Sequence, residues 1–285
     1  TPQEKRVAIT PNVISKISKL GYKVLVETGL GQNASFSDLE YKSSGAIVSD
    51  VDDIWSCDII LKINLKNCPG FLVNRILLPY VNEAVHLMLQ GFKIDDIDRI
   101  ALRFGMPIGP LSLADEVGLD VGYKVLSVLE NGYGIRYKMP TQFVDAMSDD
   151  KFLGKKTKLG FYRYGKQSPS INYDLYKKHS IVIKHRISDQ DETEIIDRLI
   201  LIMLNEAARC IEESVVDSAE QLDLAMIMGT GFPPFRGGLL KYGDQRGLGD
   251  IVHRLNHLSQ TVDQRFKPSK LLLKLAQENQ GFYRK

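Results

Sequence analysis

Apolar positions fall into two regimes along the chain. From Arg6 to Asn64 they come in short bunches broken by turn residues. RVAIT reads as a short β run, and Pro11 then sits at a helix start with Thr10 as its cap. Val13, Ile14, Ile17 and Leu20 give that helix an apolar face, and Gly21 ends it. YKVLVE is a strand by composition, GLGQNASFSD is a loop, and Ser37 or Asp38 caps a short helix before Gly45. AIV and CDIILKIN read as further strands. The alternation of strand and helix predicts a parallel sheet with crossover helices. Beyond the Pro69-Gly70 turn the period changes. Leu77, Val81 and Val85, with Val73 just before, form a helical stripe, and Pro79 predicts a kink in it. Ile97, Ile100, Ala101 and Phe104 give a second helix its inner face, and GMPIGP breaks it. LSLADEVGLDVGYKVLSVLENG is a further helical stretch, with Asp115 as a candidate local cap.

The helical part repeats. VNRILLPYVNEAVHLMLQG, from Val73, answers IDRLILIMLNEAARCIEES, from Ile196, with Asn82-Glu83-Ala84 against Asn205-Glu206-Ala207. Asp98 pairs with Asp223, and Gly105-Met106-Pro107 with Gly231-Phe232-Pro233. Two copies of one helical unit, about 120 residues apart, can pack with pseudo-two-fold symmetry, like a homodimer interface within one chain. Polar Ser168 to Glu194 joins them.

Composition narrows the classes. The 285 residues suffice for about two domains, and 44% hydrophobic with 25% charged content is that of an ordinary globular protein. A net charge of +2 predicts no nucleic-acid partner. No apolar run approaches the ~20 residues of a membrane span, and no signal-peptide leader is visible. Cys57, Cys68 and Cys210 make no CxxC or disulfide pattern and suit a reducing cytosol, so a cytoplasmic location is expected.

CPGFLVNR, then Asn82-Glu83 and GMPIGPLSLADEVGLD, resembles the helical C-terminal region of 3-hydroxyacyl-CoA dehydrogenases. The doubling resembles the alpha subunit of bacterial fatty-acid oxidation complexes. The likeness runs from about Lys66 to the end. Residues 1–65 are similar instead to the N-terminal segment of alanine dehydrogenase and of the transhydrogenase alpha subunit, through KRVAITP, ETGLGQNASFSD, Gly45-Ala46 and W..CDIILKIN. The resemblances imply a mostly α chain: an incomplete Rossmann-like α/β segment at 1–65, helical repeat one at 66–167, a linker at 168–191 and repeat two at 192–285.

The resembled enzymes move a hydride from C3 of a 3-hydroxyacyl thioester to NAD, with a His-Glu pair as the base. That pair belongs just upstream of CPGF, and none of the five histidines here follows its pattern. His86 reads as packed, and His253 and His257 lack acidic partners for a metal site, so no metal is expected. GLGQNA, at Gly29 to Ala34, lacks the long helix a phosphate loop opens, and reads as a plain βα loop. Asn74 is the residue the resemblance makes catalytic: its amide contacts the reacting oxygen or orients the His. Lys155 and Lys156, in GKKTKLGFYRY, are candidates for coenzyme A phosphates, with Lys158 standing where glycine is usual. By the second resemblance, Arg6 and Lys62 hold a substrate carboxylate. The implied role is the substrate-side and pairing domain of an NAD-dependent β-oxidation dehydrogenase, inactive alone. Its partners are an acyl-CoA thioester, a nucleotide-binding domain and a thiolase-type subunit. The alternatives are a non-catalytic acyl-CoA-binding or dimerisation module, and an alanine dehydrogenase- or transhydrogenase-like NAD(P) protein.

Overall fold

The structure is a computed structural model that describes residues 7–50, 53–54, 57, 70–141, 143, 151–166, 168–184 and 186–283. The chain divides into two compact units, Thr1–Asn67 and Cys68–Lys285.

In the first unit, α1 (Pro11–Lys19) starts on a proline at its first turn, where the missing N–H costs nothing. β1 (Leu25–Glu27) pairs in parallel with β2 (Ile47–Ser49), Val26 opposite Val48. Between them α2 (Asp38–Ser43) opens on a capping box: the Ser37 hydroxyl accepts from Glu40 N–H, and the Glu40 carboxylate accepts from Ser37 N–H. Ile14, Val26, Tyr41 and Ala46 form a small core. The Tyr41 hydroxyl donates to the carbonyl of Ile9 at 2.7 Å. The parallel pair is as expected. Val7 to Thr10, however, are not a strand, and the CDIILKIN run lies almost wholly outside the described residues.

The second unit is helical. Copy one contributes α3 (Phe71–Leu89), α4 (Ile94–Phe104), α5 (Pro110–Val117) and α6 (Leu119–Tyr133). A short hairpin, β3 (Tyr162–Arg163) with β4 (Ser170–Ile171), and α7 (Asp174–Lys178) follow. Copy two contributes α8 (Asp189–Glu212), α9 (Ala219–Thr230), α10 (Leu239–Arg246), α11 (Leu248–Thr261) and α12 (Lys270–Gln277). α3 and α8 lie against each other at the centre of one hydrophobic core that includes Ile76, Tyr80, Leu87, Leu199 and Met203.

Pro79 sits inside α3 without ending it. It cannot donate to the carbonyl of Arg75, four residues back. The buried Tyr137 hydroxyl donates to that carbonyl instead, at 3.0 Å. The ladder gap is closed by a side chain from the short 3-10 turn Ile135–Tyr137.

The two copies use the same polar fixtures. Asp98 accepts from the N–H groups of Leu111 and Ser112 and from the Tyr162 hydroxyl, at 2.9 to 3.0 Å. Asp223 does the same with Leu240, Lys241 and Tyr283, at 2.7 to 3.0 Å. Each therefore binds the start of the third helix of its copy, where backbone N–H groups are unpaired. Asp115 is not a cap of its own helix. It accepts from Phe161 N–H, Tyr162 N–H and the Tyr164 hydroxyl. Burial pushes its carboxyl up to about 6 against the pull of these donors. Asp244 holds Phe282 and Tyr283 in the same way. The glycine before each pair is required by close approach, since a Cβ on Gly160 would fall 1.9 Å from Asp115 and one on Gly281 2.7 Å from Asp244.

Candidate functional site: an apolar cavity in copy one

The seam between copies is reciprocal. Arg75 of α3 donates to Glu206 of α8 at 2.7 Å, and Arg198 of α8 donates to Glu83 of α3 at 2.6 Å. Each carboxylate takes a second arginine from a 3-10 turn of the other copy: Arg265 on Glu83 at 2.8 Å, Arg136 on Glu206 at 3.1 Å. Asn82 and Asn205 donate to the carbonyls of Lys138 and Lys267. All six helix residues are at most 2% exposed. The Asn-Glu-Ala repeat is thus a fixture of the seam, consistent with the rule that buried polar groups require partners.

Asn74 differs. It precedes Arg75 on α3 but faces a cavity of about 130 Å³. The walls are Leu77, Val81 and Val85 of α3, Val117 of α5, Val121 and Val125 of α6, and the rings of Phe143 and Phe161. They are almost wholly apolar, and among the described residues no hydrogen bond holds the Asn74 amide. One donor group at the edge of a greasy cavity can orient a ligand whose polar end stays at the mouth. Val117 and Val121 are exposed, so the wall continues to the surface.

Lys155 and Lys156 stand near this site, each paired with a carboxylate: Lys155 with Glu116 at 2.7 Å, Lys156 with Asp120. Both lie in a 3-10 turn on the surface, and Gly118, which lines the cavity, lies beside the Lys156 ammonium. Lys158 takes a left-handed backbone, φ 62°, which explains why glycine suits that position. Arg6 and Lys62 lie outside the described residues. GLGQNA holds no phosphate geometry: its last three residues, Gln32–Ala34, form a 3-10 turn, and the Asp38 carboxylate already accepts the Gly29 N–H at 2.9 Å. A phosphate there would meet that anion. This loop therefore does not fit a dinucleotide phosphate. Among the described residues, no three His, Cys, Asp or Glu side chains gather as a metal site, and no helix is long and apolar enough to cross a membrane.

Sequence reasoning missed the cavity walls, because valines at helical spacing read as core. It also left unpaired a visible repeat: Gly-Phe-Tyr-Arg occurs from Gly160 and again from Gly281.

The family model for the 3-hydroxyacyl-CoA dehydrogenase C-terminal domain matches residues 70–164 and again 195–284. The chain belongs to that family. It is 41% identical over 226 residues to the fatty acid oxidation complex subunit alpha of Shewanella frigidimarina, an alignment covering 78% of this chain and 31% of the relative. It thus spans about a third of that relative's length. Residues 1–73 match the alanine dehydrogenase/PNT N-terminal domain. The fold is similar to that of 3-hydroxybutyryl-CoA dehydrogenase from Escherichia coli K12: TM-score 0.57, 22% identity, 90% of this chain and 68% of that one. It is also similar to the dehydrogenase part of C. elegans multifunctional enzyme 1: TM-score 0.56, 23% identity, 95% and 63%. The two matches to one family model coincide with the two copies joined at the Arg–Glu seam. This member of the 3-hydroxyacyl-CoA dehydrogenase family therefore carries its helical domain twice.

Proposed function

We propose that this chain is the substrate-side and pairing part of a cytoplasmic NAD-dependent 3-hydroxyacyl-CoA dehydrogenase of fatty-acid β-oxidation, and that it does not turn over alone. The observation that carries this is the copy-one cavity with Asn74 at its edge. A cavity of about 150 Å³ is known to take benzene, so one of about 130 Å³ suits an acyl tail of about six carbons. With the tail among Leu77, Val81 and Val125, the thioester end lies toward the mouth, where the Asn74 amide can donate to an oxygen gaining negative charge. A donor of that kind is worth on the order of 3 kcal/mol in a barrier. Lys155 and Lys156 are proposed to meet the coenzyme A phosphates, exchanging exposed carboxylates for a more highly charged partner. The base and the nicotinamide cofactor are proposed to come from a separate nucleotide-binding module, and a thiolase-type subunit to complete the assembly. Arg6 and Lys62 are kept as candidates for a carboxylate.

Calorimetry with hexanoyl-CoA, beside an assay of NADH oxidation with acetoacetyl-CoA, tests this. The pure chain is expected to bind the thioester, to lose most of that affinity on Asn74→Ala, and to leave NADH untouched. Turnover by the chain alone, or no binding, would sink the reading.

A further inference from the structure

Among the described residues, the apolar cavity of about 130 Å³ lies in copy one. We infer that a salt-bridged triad, Asp197–Arg246–Arg254, plugs the counterpart in copy two, so that the doubled domain takes a single apolar ligand. The correspondence is fixed by the shared fixtures. Asn74 precedes Arg75 as Asp197 precedes Arg198. Val117 ends α5 and Arg246 ends α10, each followed by a left-handed glycine, Gly118 at φ 99° and Gly247 at φ 95°. Val125 and Arg254 follow those glycines at the same distance. Asn74, Val117 and Val125 all line the copy-one cavity. At the matching places in copy two, Arg246 donates to one oxygen of Asp197 at 2.5 Å and Arg254 to the other at 2.9 Å.

A second substitution completes the closure. Ala114 precedes Asp115 as Gly243 precedes Asp244, and Val81 precedes Asn82 as Leu204 precedes Asn205. In copy two the longer Leu204 reaches the space a methyl would need, since a Cβ on Gly243 would lie 2.7 Å from the Leu204 side chain. One copy keeps small apolar residues around a void. The other fills it with two arginine stems and a leucine, their charges neutralised on a carboxylate that is itself only 5% exposed.

The identity of the ligand rests on the acyl-tail reading above, but the number of cavities does not, so two probes separate them. Methyl resonances of the full chain are followed by NMR during titration with benzene. Leu77, Val81 and Val85 are expected to shift, and Leu201 and Leu204 to stay still. Shifts at Leu204 in the unaltered chain would overturn the plug. The variant Asp197→Asn with Leu204→Val, Arg246→Val and Arg254→Val is expected to add a copy-two shift at Leu201, and a folded variant that lacks it overturns the plug too. Should that variant not fold, the reverse transplant, Asn74→Asp with Val117→Arg and Val125→Arg, is expected to abolish the copy-one shifts. Persistence of those shifts would contradict the inference. Hexanoyl-CoA is then titrated by calorimetry. Benzene confined to copy one without any hexanoyl-CoA binding would leave the one-cavity inference standing and remove the acyl reading.

Discussion

His86 stands on α3 where α8 carries Arg209, each one turn after its glutamate. Arg209 joins Arg75 and Arg136 on Glu206, whereas His86 sits beside a glutamate already held by Arg198 and Arg265. Burial, reinforced by Arg265, lowers the His86 pKa to about 4. The folded ring therefore stays neutral where an unfolded one, with a pKa near 6.5, takes a proton. The unfolded state binds more protons in this window, so stability is present above about pH 6.5 and is lost as pH falls toward about 4. The loss amounts to roughly 3 kcal/mol. His86→Leu is expected to remove it. In urea melts, the stability difference between wild type and variant should shift toward the variant by that order between pH 7 and pH 4. An unchanged difference would place the ring in water.

At the scale of elements, the period change at Gly70, the helices and their doubling were legible because they rest on spacing and on buried polar residues. Arg75, Asn82 and Glu83 can be buried only with partners, and their counterparts Arg198, Asn205 and Glu206 are those partners or their equivalents. The cavity was not legible, since Val117, Val121 and Val125 look the same lining a void as filling a core. Nor was the triad, because Arg246 and Arg254 lie far in sequence from Asp197 and only the fold sets that carboxylate between them. In the first unit the first strand came out shorter than YKVLVE suggested and the second one residue later than AIV, because only Leu25 to Glu27 and Ile47 to Ser49 find a ladder partner. Pro79 was expected to kink α3, and the structure shows why the helix survives. The Tyr137 hydroxyl occupies the carbonyl that proline leaves bare. Tyr137→Phe should therefore cost about 1–3 kcal/mol through that buried acceptor. In a Pro79→Ala background the restored N–H can serve the carbonyl, and the cost of Tyr137→Phe should shrink. A thermodynamic double-mutant cycle reads the coupling directly, and additive effects would contradict it.

For the molecule as a whole, the seam between copies makes one folding unit of the helical part. Glu206 bonds Arg75 and Arg136 across the seam and Arg209 within its copy, and it is 2% exposed. Replacing it strands several guanidinium groups, so Glu206→Gln should cost about 3–5 kcal/mol. Helical signal should still be lost in one transition from both copies. Two resolved transitions would show that the copies stand independently. Within that unit the proposed ligand contact belongs to copy one alone, with copy two as its structural counterpart. A hexanoyl-CoA analogue with a photoactivatable group near the tail end, followed by peptide mapping, tests this most directly. Label should fall on α3, α5 and α6, around Val81, Val117 and Val125, and should fade on Asn74→Ala. Label concentrated on α8, α10 and α11, or on the first unit, would contradict it.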